Sequence, residues 1–121
     1  MPHVLVVDDD EGVSSAMELV LTYLGHEVTL QHDGAAAVAF LRQNTDPVDL
    51  IILDHRMPGM SGVETLKAIR CILPEVKVIV ATGDKNQEVE QLLEDDGIEA
   101  IIWKPYQAEA MIEMVDEILG G

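Results

Sequence analysis

The side chains best suited to chemistry in this chain stand directly after short apolar stretches. Asp8 and Asp9 follow Val4–Val7, Asp54 follows Leu50–Leu53, Thr82 follows Val76–Ala81, and Lys104 follows Ile98–Trp103. Apolar runs this short read as strands buried on both faces. If they lie parallel, their carboxyl ends share one edge of a sheet, where ligands bind in open α/β folds. Three carboxylates gathered there resist full ionisation unless a cation offsets them. Oxygen donors with room for water suit Mg²⁺, which commonly binds through one or two carboxylates together with a phosphate. Lys104 and the Thr82 hydroxyl are the right groups to hold phosphoryl oxygens. Taken alone, Asp54 at a strand tip before the turn residues Pro58, Gly59 and Gly62 suggests either a nucleophile or a metal ligand. No Ser/His/Asp relay, zinc-ligand spacing or Gly-rich phosphate loop competes with this reading.

Helical patterns separate the strands. Val13, Met17, Val20, Leu21 and Leu24 form an apolar face closed by Gly25. Glu27–Leu30 offers a short second strand, and a helix starts at Asp33-Gly34 and runs to about Asn44, with Val38 and Leu41 inward. Asp46-Pro47 breaks it. Val63, Leu66, Ile69 and Leu73 mark a third helix ended by Pro74, and Val89, Leu92 and Leu93 a fourth closed by Gly97. Ala108, Met111, Ile112, Val115, Ile118 and Leu119 line the core face of a fifth. Strict strand–helix alternation predicts an α/β domain: a parallel sheet with right-handed crossovers and helices on both faces. The expected strand order is the flavodoxin-like 2-1-3-4-5, doubly wound. Strands one and three are then central neighbours, and their acidic ends meet.

Length and charge narrow the function. The 121 residues are expected to form a single domain spanning 1–121. With one Trp, two Tyr and one Phe, the core must be aliphatic. A formal charge of −16 argues against nucleic-acid binding or attraction to anionic membranes by this domain. It favours a cationic partner, a bound cation or plain solubility. Cys71 is the only cysteine and falls in a helical pattern, so no internal disulfide forms and a cytoplasmic location is expected. Val4–Val7 is too short for a signal peptide, and no stretch is long enough to span a membrane.

With these pieces in order, the sequence resembles the receiver domain of bacterial response regulators over essentially its whole length. The matching segments are Val-Val-Asp-Asp-Asp at 6–10, Leu-Asp-His-Arg-Met-Pro-Gly-Met-Ser-Gly at 53–62, Ala-Thr-Gly at 81–83 and Lys-Pro at 104–105. The resemblance implies that Asp54 accepts a phosphoryl group from phosphohistidine on a histidine kinase or phosphotransfer protein. It implies Mg²⁺ bound by Asp9 and Asp54, with Asp8 assisting through water and the backbone carbonyl of Arg56 completing the shell. Lys104 would pair with the phosphoryl group, Thr82 would move to hydrogen-bond it, and the Lys104-Pro105 bond would be cis. Such a module catalyses only its own phosphotransfer and dephosphorylation. Its signal would leave through the face of the fourth helix, fifth strand and fifth helix, toward an output domain or a second copy. On that last helix Ala110 and Met114 are expected at the surface among Glu109, Glu113 and Glu117.

Plainer roles fit several residues. Asp10 and Glu11 read as residues that start the first helix. His55 is expected to be a solvated loop residue, and Glu88, Glu90, Glu94, Asp95 and Asp96 a solvated helix face. Two positions depart from the family. Ile101 replaces the usual aromatic whose rotamer follows the threonine, and Ser61 stands where an acid is frequent, in a loop position expected to be tolerant. Two other functions remain as alternatives. One is a Mg²⁺-dependent phosphohydrolase with an aspartyl nucleophile, loosely suggested by Asp8-x-Asp10, although it leaves Asp54 unexplained. The other is a degenerate receiver serving as an interaction scaffold, against which the complete acid–threonine–lysine set argues.

Overall fold

The computed structural model describes residues 2–44, 46–57, 59–83 and 97–120. Strands β1 (His3–Val7), β2 (Glu27–Gln31), β3 (Leu50–Asp54), β4 (Lys77–Thr82) and β5 (Ala100–Trp103) form one parallel sheet in the order β2-β1-β3-β4-β5. The helices among the described residues are α1 (Glu11–Tyr23), α2 (Gly34–Gln43), α3 (Gly62–Ile72) and α4 (Ala108–Ile118). The helix expected from Val89, Leu92 and Leu93, and its acids from Glu88 to Asp96, lie outside the described residues.

Successive side chains of a strand point to opposite faces, and here both faces are covered. Leu5, Val7, Ile51, Leu53, Val78 and Val80 pack with Leu41 of α2 and with Leu66 and Ile69 of α3. Val4, Val6, Leu50, Ile52 and Ile79 pack on the other side with Met17 and Leu21 of α1 and Met111 and Val115 of α4. Every residue of β1 and β3 is buried, which explains why neither strand alternates with polar residues. Each fully buried aliphatic side chain contributes roughly 1.5–3 kcal/mol relative to exposure. The two strands are therefore anchored along their whole length.

Local signals set the helix limits. The Asp10 carboxylate accepts from Val13 N–H at 3.1 Å and caps α1, while Asp33 accepts from Ala36 N–H at 2.7 Å and caps α2. Gly25 leaves α1 at φ +94°, the left-handed conformation that ends helices. Two surface expectations need correction. Leu24 caps the end of α1 and stays 42% exposed. Met114 is half-buried against the core cluster beneath α1 and α4, so it does not form a surface pair with exposed Ala110.

The β3–α3 connection is tighter than its sequence suggested. Ser61 is the N-cap of α3: its hydroxyl accepts from Glu64 N–H at 3.1 Å, and the Glu64 carboxylate accepts from Ser61 N–H at 3.2 Å. This reciprocal capping box satisfies two backbone donors, so the position has a structural role in starting α3. Beside it, a Cβ on Gly62 would stand 2.7 Å from His55 Cα and 2.9 Å from His55 O. The start of α3 thus rests on the backbone that follows Asp54.

That contact yields a prediction. Gly62→Ala should lower stability by about 1–3 kcal/mol, the usual range for forcing atoms into a packed site. Denaturant unfolding checks it; an unchanged midpoint would show that the loop can yield.

Candidate functional site

The strand ends bring the expected side chains together. Asp8 follows β1, Asp54 ends β3, Thr82 ends β4 and Lys104 follows β5. Backbone bonds stitch this edge: Asp8 N–H donates to Gln31 O at 3.1 Å, His55 N–H to Ala81 O at 2.9 Å, and Lys104 N–H to Thr82 O at 2.8 Å. Carboxylate oxygens of Asp8, Asp9 and Asp54 all lie within 4.8 Å of one another. Asp8 and Asp54 are buried and Asp9 is exposed, so the group opens to solvent on one side. The Asp8 carboxylate also accepts from Asp10 N–H at 2.9 Å, which orients the acid against its own loop.

Lys104 Nζ donates to Asp54 Oδ1 at 3.0 Å, and Arg56 N–H approaches the same oxygen at 3.4 Å. The Asp54 side chain is only 4% exposed. Burial raises its carboxyl pKa above the ordinary 3.8, and the charge of Asp8 adds to the effect. The hydrogen bond and charge of Lys104 and the Arg56 N–H pull the other way without cancelling it. One ammonium therefore does not fully offset the burial of the Asp54 carboxylate. Three hard oxygen donors with a side open to solvent match what Mg²⁺ requires, and Arg56 lines the same cleft. The Lys104-Pro105 bond is cis.

Thr82 is 2% exposed, and its Oγ1 lies 3.3 Å from His55 Nδ1. His55 is 8% exposed, not the solvated loop residue expected. Its backbone is held between β4 and the start of α3, which brings the imidazole inside against Thr82. Ile101 is half-buried and packs into the core on the α2–α3 side, so this position serves packing. Asp10 is exposed and occupied in capping α1.

The sequence reading misses one residue of the site. A cleft of about 760 Å³ runs from the acids between α1 and α4, and Tyr106 lines it together with Asp8, Asp54 and Lys104. The tyrosine packs against the core on that side, while its hydroxyl is buried without a hydrogen-bond partner. Burial, then the charges of Asp8 and Asp54, push the phenol up to about 12. The available signal was its place directly after Lys104-Pro105.

Comparison with known proteins agrees with this geometry. The profile described as "Response regulator receiver domain" matches residues 4–116. The chain is 31% identical over 117 residues to the transcriptional regulatory protein GlrR of Escherichia coli, covering 97% of this chain and 26% of that protein. It is 32% identical over 121 residues to the sensory transduction protein RegX3 of Mycobacterium tuberculosis, covering 98% of this chain and 51% of that one. The chain thus spans between a quarter and about half of these curated relatives. Among solved structures, the chemotaxis protein CheY4 of Vibrio cholerae superposes with a TM-score of 0.87 at 28% identity, covering 98% of both chains. A CheY-like receiver domain protein of Methanospirillum hungatei gives 0.91 at 26% identity, covering 99% of this chain and 94% of that one.

The raised Asp54 pKa has a testable sign. The folded protein holds this proton more tightly than the unfolded chain does. The stability Asp54 contributes is therefore fully present below the ordinary carboxyl pKa and is lost as pH rises through the raised value. Without divalent metal, Asp54→Asn should be more stable than the parent near about pH 7, with the gap closing toward about pH 4. Urea midpoints in EDTA across that range check this; a gap that ignores pH would contradict it.

Proposed function

The chain belongs to the response regulator receiver domain family, and from that premise we propose that it is a phosphorylation-controlled switch whose phosphoacceptor is Asp54. The observation that carries the proposal is the buried Asp54 carboxylate, bonded to Lys104 at 3.0 Å and grouped with Asp8 and Asp9. The partner would be a histidine kinase or phosphotransfer protein. A carboxylate oxygen of Asp54 attacks phosphorus, the bond from phosphorus to the donor's imidazole nitrogen breaks, and the imidazole leaves with the bonding pair.

Asp8, Asp9, Asp54 and the Arg56 carbonyl would hold Mg²⁺, which would supply positive charge to the phosphoryl oxygens. Lys104 neutralises part of the Asp54 charge before transfer and pairs with a phosphoryl oxygen afterwards. To reach the phosphoryl group, the Thr82 hydroxyl gives up its 3.3 Å contact with His55. With Ile101 committed to packing, that exchange at the end of β4 takes the place of an aromatic flip. The displaced backbone then biases the surface built on β5 and α4, where an output domain or a second copy would bind. The lone Cys71 suits a cytoplasmic protein, and no helix among the described residues is long and apolar enough to cross a membrane. The phosphohydrolase alternative loses its support, because the Asp10 carboxylate caps α1.

Incubation with acetyl phosphate and Mg²⁺ should add one phosphoryl group, read by intact mass. Asp54→Asn should abolish it. Undiminished labelling of that variant would remove Asp54 from the reaction.

A further inference from the structure

We propose that the Tyr106 hydroxyl is a hydrogen-bond donor to a water that Asp8 holds when the acid group carries its cation, making Tyr106 a positioning residue for Mg²⁺. The inference rests on the receiver reading above and adds a residue to its metal site.

A buried hydroxyl without a partner is costly, and native structures rarely leave one. Here the unpaired oxygen belongs to a side chain lining the cleft that holds Asp8, Asp54 and Lys104. The tyrosine packs into the core beneath α1 and α4, so it cannot turn out to water without giving up that packing. Both Asp8 and Asp54 act on the phenol electrostatically, Asp8 more strongly, yet neither carboxylate is within hydrogen-bond reach of it. A water held in the shared cleft would give the hydroxyl the partner it lacks. Because the phenol is pushed up to about 12, it keeps its proton and remains a donor throughout the physiological range. The cleft that Tyr106 lines takes in Asp8, Asp9, Asp54 and Arg56, the residues that would hold the cation, together with Lys104 but not Thr82. The hydroxyl is thus better placed for the cation's hydration shell than for the phosphoryl oxygens.

Tyr106→Phe keeps the ring and removes only the oxygen. In EDTA its unfolding midpoint should equal or exceed the parent's, since an unpaired buried hydroxyl is gone. Its Mg²⁺ affinity by titration calorimetry should fall about three- to tenfold, the range for one lost hydrogen bond. In an Asp8→Ala background, which removes the acceptor that holds the water, the same substitution should leave Mg²⁺ affinity unchanged. Equal Mg²⁺ affinity of parent and Tyr106→Phe, or a clear loss of stability in EDTA, would overturn the proposal alone. So would unchanged Mg²⁺ affinity with weakened beryllofluoride binding, which would place the hydroxyl at the phosphoryl group. A parent that takes up no Mg²⁺ would overturn both this inference and the metal site beneath it.

Discussion

Asp8 and Asp54 are carboxylates buried side by side at the ends of the two central strands, and Asp9 adds a third charge at the solvent side. Lys104 offsets only part of this. Its ammonium is 3.0 Å from Asp54, but burial and Asp8 still raise the Asp54 pKa. Removing carboxylates from water is costly unless they are paired and hydrogen-bonded, and here the pairing is incomplete. The site is therefore held short of its electrostatic optimum by the fold. In the proposed switch, a divalent cation would lower that cost, and a phosphoryl group would give Lys104 and Thr82 a new anion to hold.

The rest of the structure keeps that strained arrangement in place. β1 and β3 are buried along their whole length, so the acids at their ends cannot retreat by fraying. Gly62 lets α3 start against the His55 backbone, and the Ser61–Glu64 capping box fixes that start. On the other flank, Lys104 N–H donates to Thr82 O, which joins the lysine and threonine backbones in one edge. The contact between Thr82 and His55 gives the hydroxyl a resting partner across that edge. Packing fixes the acids, whereas hydrogen bonds hold the side chains of Lys104 and Thr82.

Much of this was legible in the sequence because it depends on period and position. Unbroken apolar runs ending in acids predicted buried parallel strands, the strand order and the meeting of Asp8, Asp9 and Asp54, all as found. Asp10 and Asp33 likewise read as helix starts and are caps. What failed depends on contacts between segments distant in sequence. His55 looked solvated because its neighbours are loop residues, whereas β4 and the start of α3 enclose it. Met114 looked exposed among its glutamates, but it packs partly inward against the cluster formed by α1, α4 and the sheet. Ser61 is the exception: it was expected to be tolerant, although Ser61-x-x-Glu64 is itself the local signature of the capping box found there. Tyr106 gave no periodic signal at all; its importance lies in a hydroxyl buried beside acids from other strands.

The central claim is that the acid group is a liability without a cation and a binding site with one. Thermal unfolding of the parent and Asp9→Ala, each in EDTA and in saturating Mg²⁺, tests it most directly, because Asp9 is the exposed acid whose loss disturbs no packing. Mg²⁺ should raise the parent's midpoint in proportion to its binding. Asp9→Ala should start at or above the parent in EDTA and gain little from Mg²⁺. A variant that starts lower in EDTA and gains as much from Mg²⁺ as the parent would contradict the account.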